Sequence, residues 1–159
     1  MWFLRLNMAD RSYKVEEVPE RYKALGGRGL TSTLICDEVD PMCHPLGPNN
    51  KIVIAPGLFA GTVAPTSSRV SVGTKSPLTG GIKEANAGST WAPNMAKMQL
   101  KAIIIEGMPA EEDKYWTARI WLEDGKPKVE FTPADEYVGR DLYEVFPEVY
   151  ERFGKKIDI

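Results

Sequence analysis

Residues 101–107, Lys-Ala-Ile-Ile-Ile-Glu-Gly, constrain this chain most. Three consecutive isoleucines are stiff at χ1 and fit a pleated backbone better than a helix. An apolar run without alternation, bounded by a charge and a glycine, reads as a buried strand. Lys51-Ile52-Val53-Ile54-Ala55 has the same character and reads as a second one. Around these runs stand twelve prolines and fourteen glycines, which call for many turns and short elements. A length of 159 residues suits one domain with a sizeable core.

The remaining elements are placed by period and punctuation. Trp2 to Met8 alternates loosely and pairs, across a turn at 9–12, with a strand over 13–18, making a hairpin. Pro19 ends it, and a short helix is expected from Glu20 to Leu25. A longer helix starts at Arg28 with Leu30, Leu34, Ile35 and Val39 on one face, and Asp40-Pro41 stops it. Arg69 to Thr74 alternates, with Val70 and Val72 on one side and Arg69, Ser71 and Gly73 on the other. Pro77-Leu78-Thr79-Gly80-Gly81 is a turn. The small residues Ala85 to Ser89 are expected to form a loop opening a helix over 89–100, with Met95 and Met98 facing the core. An acidic connector spans 108–114.

Residues 118–132 echo residues 4–18: a strand, a turn holding Asp, then Lys-Val-Glu in a second strand. Each is followed by Pro, Tyr (Tyr22, Tyr137), Gly-Arg (Gly27-Arg28, Gly139-Arg140) and a helical segment, Leu142 to Phe153 in the second case. The fold class expected is α+β, with mixed or antiparallel sheets and packed helices. It comprises one full unit, about 1–110, and the first half of a duplicated unit, about 115–159.

Composition excludes several functions. No apolar run nears the ~18 residues that span a bilayer, and the start has the wrong order for a signal peptide, so no membrane role and a cytoplasmic location are expected. A formal net charge of −2 argues against nucleic acid. Cys36, Cys43 and the single His44 make no four-ligand zinc set and no iron–sulfur cluster set. No nucleophile–base constellation is recognisable, so no catalytic residue is assigned.

One segment is nevertheless basic. From Arg69 to Lys101 there are five basic residues against the single acidic Glu84. Small residues at a helix start within such a segment suggest an anion site, since first-turn N–H groups lack partners and the macrodipole is positive there. Gly88 lets a ligand approach the backbone, and the Arg69 guanidinium and Lys75 would flank the loop. The competing reading is a plain helix cap by Ser89 or Asn86, with Arg69 and Lys75 as solvated cations.

The stretches GTVAPTSSR, TKSPLTG and EANAGS, with the LRLNMADRSYKVEEV hairpin, GGRGL and AIIIEG, resemble the N-terminal domain of the tungsten-containing aldehyde:ferredoxin oxidoreductase family. The resemblance covers nearly the whole chain. It implies a domain of two similar α+β units beneath a tungsten (or molybdenum) ion held by two pterin dithiolenes. Arg69 matches the arginine that contacts the pterin. Asn86 matches the asparagine whose backbone carbonyl helps hold a magnesium ion between the pterin phosphates. Gly88 matches a glycine whose N–H faces the cofactor, with Ala87 beside it. Ser89 departs from the glycine common there. Aldehyde oxidation to an acid, with electrons leaving through a [4Fe–4S] cluster to ferredoxin, would need domains or a partner subunit beyond this chain, which alone is expected to be inactive. The alternatives are a non-catalytic interaction module that keeps the fold, self-associating or binding a partner, and a general phosphate-binding domain.

Overall fold

The computed structural model describes residues 1–111 and 113–159; Glu112, within the expected acidic connector, lies outside the described residues. The isoleucine run is the strand β6 (Leu100–Glu106), buried along most of its length. It lies inside a six-stranded sheet with β1 (Trp2–Asn7), β2 (Ser12–Glu17), β3 (Lys51–Pro56), β4 (Arg69–Lys75) and β5 (Ile82–Gly88). The order is β2-β1-β6-β3-β4-β5. The β1–β6 pair is parallel and the rest are antiparallel, so the sheet is mixed as expected.

Alternation along each strand sends side chains to two separate cores. On one face Phe3, Val53, Ala55, Ala102 and Ile104 pack with Leu30, Leu34 and Ile35 of the helix α2 (Gly27–Glu38), which follows the short helix α1 (Glu20–Lys23). On the other, Leu4, Leu6, Val70 and Ile103 pack against Ala92 and Met95 of α3 (Trp91–Lys97). Val129, Ile120 and Phe131 complete that layer. They belong to a two-stranded sheet of β7 (Trp116–Glu123) and β8 (Lys126–Pro133).

Both faces of β4 are therefore covered, not one. Ser71 is fully buried beneath α2. At Gly73 an added Cβ would lie 2.7 Å from the Thr31 Cβ, so the close packing of α2 requires glycine there. Only Arg69, at the strand's first position, escapes into solvent.

The hairpin–short helical turn–helix order occurs twice. After β1 and β2 come α1 and α2. After β7 and β8 come a 3-10 turn (Asp135–Tyr137) and α4 (Leu142–Phe153). The second hairpin closes through Asp124 and Gly125, both at positive φ, the pair a two-residue type I′ turn requires. Asp141 caps α4, its carboxylate accepting from Glu144 N at 3.0 Å.

A charge network ties the far end of the sheet together. Arg5 donates to Glu16 at 2.8 Å and to both oxygens of Glu38 at 2.7 and 2.8 Å. Lys51 bridges Glu38 and Glu106 at 2.8 and 2.7 Å. Burial penalises the Glu38 charge, but the hydrogen bonds from Arg5 and Lys51 outweigh it and bring its pKa down to about 2. A depressed carboxylate contributes stability above its unfolded pKa near 4.5 that is lost as pH falls toward 2. Glu38→Gln is expected to cost about 2–3 kcal/mol at pH 7 and to remove that part of the acid limb, as measured by urea unfolding across pH.

Candidate anion-binding site

The segment expected to be a loop opening a helix is a strand. β5 runs antiparallel to β4, with Arg69 opposite Gly88 and Ser71 opposite Asn86. The turn before it is closed by Ser76 N donating to Gly81 O at 2.7 Å. Ala85, Ala87 and Gly88 carry no β-branched signal, yet the hairpin register and an open sheet edge make them extended. The helix begins only at Trp91, has seven residues and no side-chain cap at Thr90. At its start the anion is the chain's own: the Asp158 carboxylate accepts from the Thr90 hydroxyl and from Asn94 Nδ2. The helix-dipole site expected there is thus not formed.

A different arrangement brings three of the expected residues together. Gly57 N donates to Arg69 O at 3.0 Å, so the Arg69 peptide groups point toward β3. Ser89 N donates to Ser68 O at 3.2 Å. Hydrogen-bonded and non-bonded pairs alternate in an antiparallel ladder. Arg69–Gly88 and Ser71–Asn86 are therefore the non-bonded pairs. The N–H and C=O groups of Asn86 and Gly88 face outward along the free edge of the sheet.

The Arg69 side chain lies over that edge. Its Nε donates to Asn86 Oδ1, and its Nη2 donates to the Asn86 carbonyl at 3.1 Å. Among the described residues two of the five guanidinium donors are thus engaged, leaving three. The Gly88 position is bare, and a Cβ there would sit 3.9 Å from Arg69 Nη1. Ala87 and Ser89 are exposed beside it; the Ser89 hydroxyl accepts from Trp91 N at 3.2 Å.

Lys75 is not part of this group. It ends the strand that Arg69 begins, roughly 20 Å away at ~3.3 Å per residue. Its ammonium donates to the Pro41 and Cys43 carbonyls at 2.5 and 2.6 Å, and the residue is 7% exposed. Lys101 likewise turns inward, donating to Lys23 O at 2.9 Å, and burial lowers its pKa. The basic residues of the segment do not converge. Position on a strand does not reveal whether a lysine meets solvent or carbonyls, which is why a charge count failed here.

Three residues that sequence reasoning missed complete the cluster: Arg28, Ser71 and Glu84. Asn86 Nδ2 donates to Ser71 Oγ at 2.8 Å and to Glu84 Oε1 at 3.4 Å. Arg28 donates to Glu84 Oε2 through Nε at 3.0 Å and Nη2 at 2.9 Å. Burial raises the Glu84 pKa, but hydrogen bonds from Ser71, Arg28 and Asn86 leave it below the ordinary carboxylate value. The strand alternation that put Arg69 with Ser71 was the available signal, since Glu84 and Asn86 share the same face by the same period.

Among the described residues no His, Cys, Asp or Glu cluster could hold a metal ion. Cys36 and Cys43 are free thiols. No helix among the described residues is long and apolar enough to cross a membrane.

Comparison with known proteins adds a second line. The sequence profile described as "Aldehyde ferredoxin oxidoreductase, N-terminal domain" matches residues 3–159. The chain is 38% identical over 154 residues to a tungsten-containing aldehyde ferredoxin oxidoreductase of Thermococcus kodakarensis, covering 96% of this chain and 24% of that protein. It is 37% identical over 156 residues to a protein of the same description from Pyrococcus furiosus, covering 97% and 25%. It thus spans about a quarter of the length of these relatives. The fold also matches the solved active site complex BamBC of benzoyl coenzyme A reductase in complex with 1,5-dienoyl-CoA. There the TM-score is 0.83 at 25% identity, over 98% of this chain and 23% of that one.

Lys75→Met, which keeps the side-chain volume, leaves two carbonyls of the 41–43 loop unpaired. It is expected to cost about 1–3 kcal/mol of stability by chemical denaturation, with affinity for inorganic pyrophosphate unchanged.

Proposed function

The chain belongs to the aldehyde ferredoxin oxidoreductase family, as its N-terminal domain, and from that premise we propose that its open sheet edge seats the phosphate end of a tungsten (or molybdenum) bis-pterin cofactor. The observation that carries this reading is the outward peptide groups of Asn86 and Gly88 with the free donors of Arg69 beside them. Donors fixed in advance bind an anion without reorganisation. Hydrogen bonds to charged groups are worth about 1.5–3 kcal/mol each.

The residues present fit such a group. Arg69 would hold a phosphate oxygen, Gly88 would donate its N–H, and the bare Gly88 position would let the ligand meet the backbone. Ala87 and Ser89 would line the approach. The Asn86 carbonyl, which takes one hydrogen bond from Arg69, has a second lone pair that would help hold a magnesium ion accompanying the pterin phosphates. When bound, the metallopterin supplies the redox chemistry that takes an aldehyde to a carboxylic acid. This chain's own part is binding and orientation. Cluster ligands for a [4Fe–4S] centre and the surface that meets ferredoxin would come from other domains of the enzyme or a partner subunit. We assign the chain one full unit, about 1–110, and the opening half of a second, about 115–159, and expect it to be inactive on its own.

A second reading, an interaction module without cofactor, draws on the same edge and on the loop that leads into Arg69, where Phe59 and Val63 are 63% and 104% exposed. Titration calorimetry with inorganic pyrophosphate separates the two. Binding that Arg69→Ala weakens on the order of 10- to 100-fold, and that rising salt also weakens, is the expected outcome. Equal affinity in the wild type and Arg69→Ala would sink the cofactor reading.

A further inference from the structure

We infer that Glu84 is the positioning residue of this site: its carboxylate fixes which way the Asn86 amide faces, and through it which edge of the Arg69 guanidinium is left for an anion. The inference rests on the reading that Arg69 meets the cofactor phosphates. It is carried by a polarity argument over four side chains. A guanidinium can only donate, and an ionised carboxylate can only accept. Asn86 stands between the two, with one amide end toward Arg69 Nε and the other 3.4 Å from Glu84 Oε1. Only one orientation satisfies both ends: the amide oxygen toward Arg69, the NH2 toward Glu84 and Ser71 Oγ. A flipped amide would set NH2 against guanidinium and oxygen against carboxylate.

Glu84 is well suited to this part. Its side chain is 7% exposed although β5 is an edge strand. Arg28, itself 74% exposed, grips the other carboxylate oxygen through two donors and so keeps Oε1 turned toward Asn86. With the amide locked, Arg69 spends Nε and one Nη2 donor on Asn86 and presents the Nη1 side, next to Gly88, to the ligand. A purely structural Glu84 would serve only to pin the start of α2 to β5.

Hydrogen exchange of the Arg69 Nε–H, followed by NMR in the full 159-residue chain and assigned by its loss in Arg69→Lys, tests this. The Arg5 Nε–H, held by Glu16 at 2.8 Å in a separate network, reports on the fold. In Glu84→Ala, exchange at Arg69 is expected to quicken at least ~10-fold with Arg5 unchanged. Arg28→Lys, whose ammonium cannot reproduce the two-donor grip, should quicken exchange at Arg69 by less than Glu84→Ala does and leave Arg5 as it was. Unchanged exchange at Arg69 in Glu84→Ala overturns the proposal. If Glu84→Ala loses the Arg5 signal too, Glu84→Met, of similar length but without an oxygen to accept from Asn86, decides by the same readout. Loss of both signals in both variants makes Glu84 a determinant of folding and overturns the proposal as well. Wild-type titration with inorganic pyrophosphate is run alongside. Its failure removes the cofactor reading, while the exchange data still judge the positioning of Asn86 and Arg69.

Discussion

The burial of β6 on both faces is the constraint from which the rest of this structure follows. A central strand rich in isoleucine is stable only where water is kept from either side. α2 supplies one cover, and α3 with the β7–β8 hairpin supplies the other. Both covers are short of the sheet's full width. α2 reaches β5 through Arg28 and Glu84, and what stays open is the outer rim of that strand, whose residues are almost all exposed.

The two ends of β4 show how one strand serves opposite purposes. At its last residue the backbone dives beneath the 41–43 loop, and a lysine ammonium satisfies carbonyls that would otherwise stand unpaired. At its first residue the covering helix has ended, and an arginine lies across the rim with donors to spare. Gly73, midway between, lets Thr31 of α2 approach, which sets how far the helix covers the strand and where it stops.

The large elements were legible because their signals are hydrophobic. The isoleucine run and the 51–55 run follow from unbroken β-branched character, the first hairpin and the helix carrying Leu30, Leu34 and Ile35 from period, and the second hairpin from its echo of the first. Arg69, Asn86 and Gly88 were found through family resemblance together with local charge. What could not be read was the state of residues 85–88. An edge strand of alanine, asparagine and glycine has neither a buried face nor β-branched residues, and its conformation is imposed by β4. Lys75 was misplaced because a cation's destination depends on the loop that packs over it, 32 to 34 residues away in sequence. Arg28 and Glu84 were invisible as a pair, since their meeting requires α2 to lie across β4 and β5.

The outward peptide groups of Asn86 and Gly88 have one more implication. A row of outward amides and carbonyls along a sheet margin, even with the Asn86 carbonyl taking a bond from Arg69, is also a template for another chain to zip onto. A small anion seated there, as proposed, would deny that margin to a stranger's backbone. Ligand loading and resistance to sticking between molecules would then be, for this polypeptide, two effects of a single occupancy.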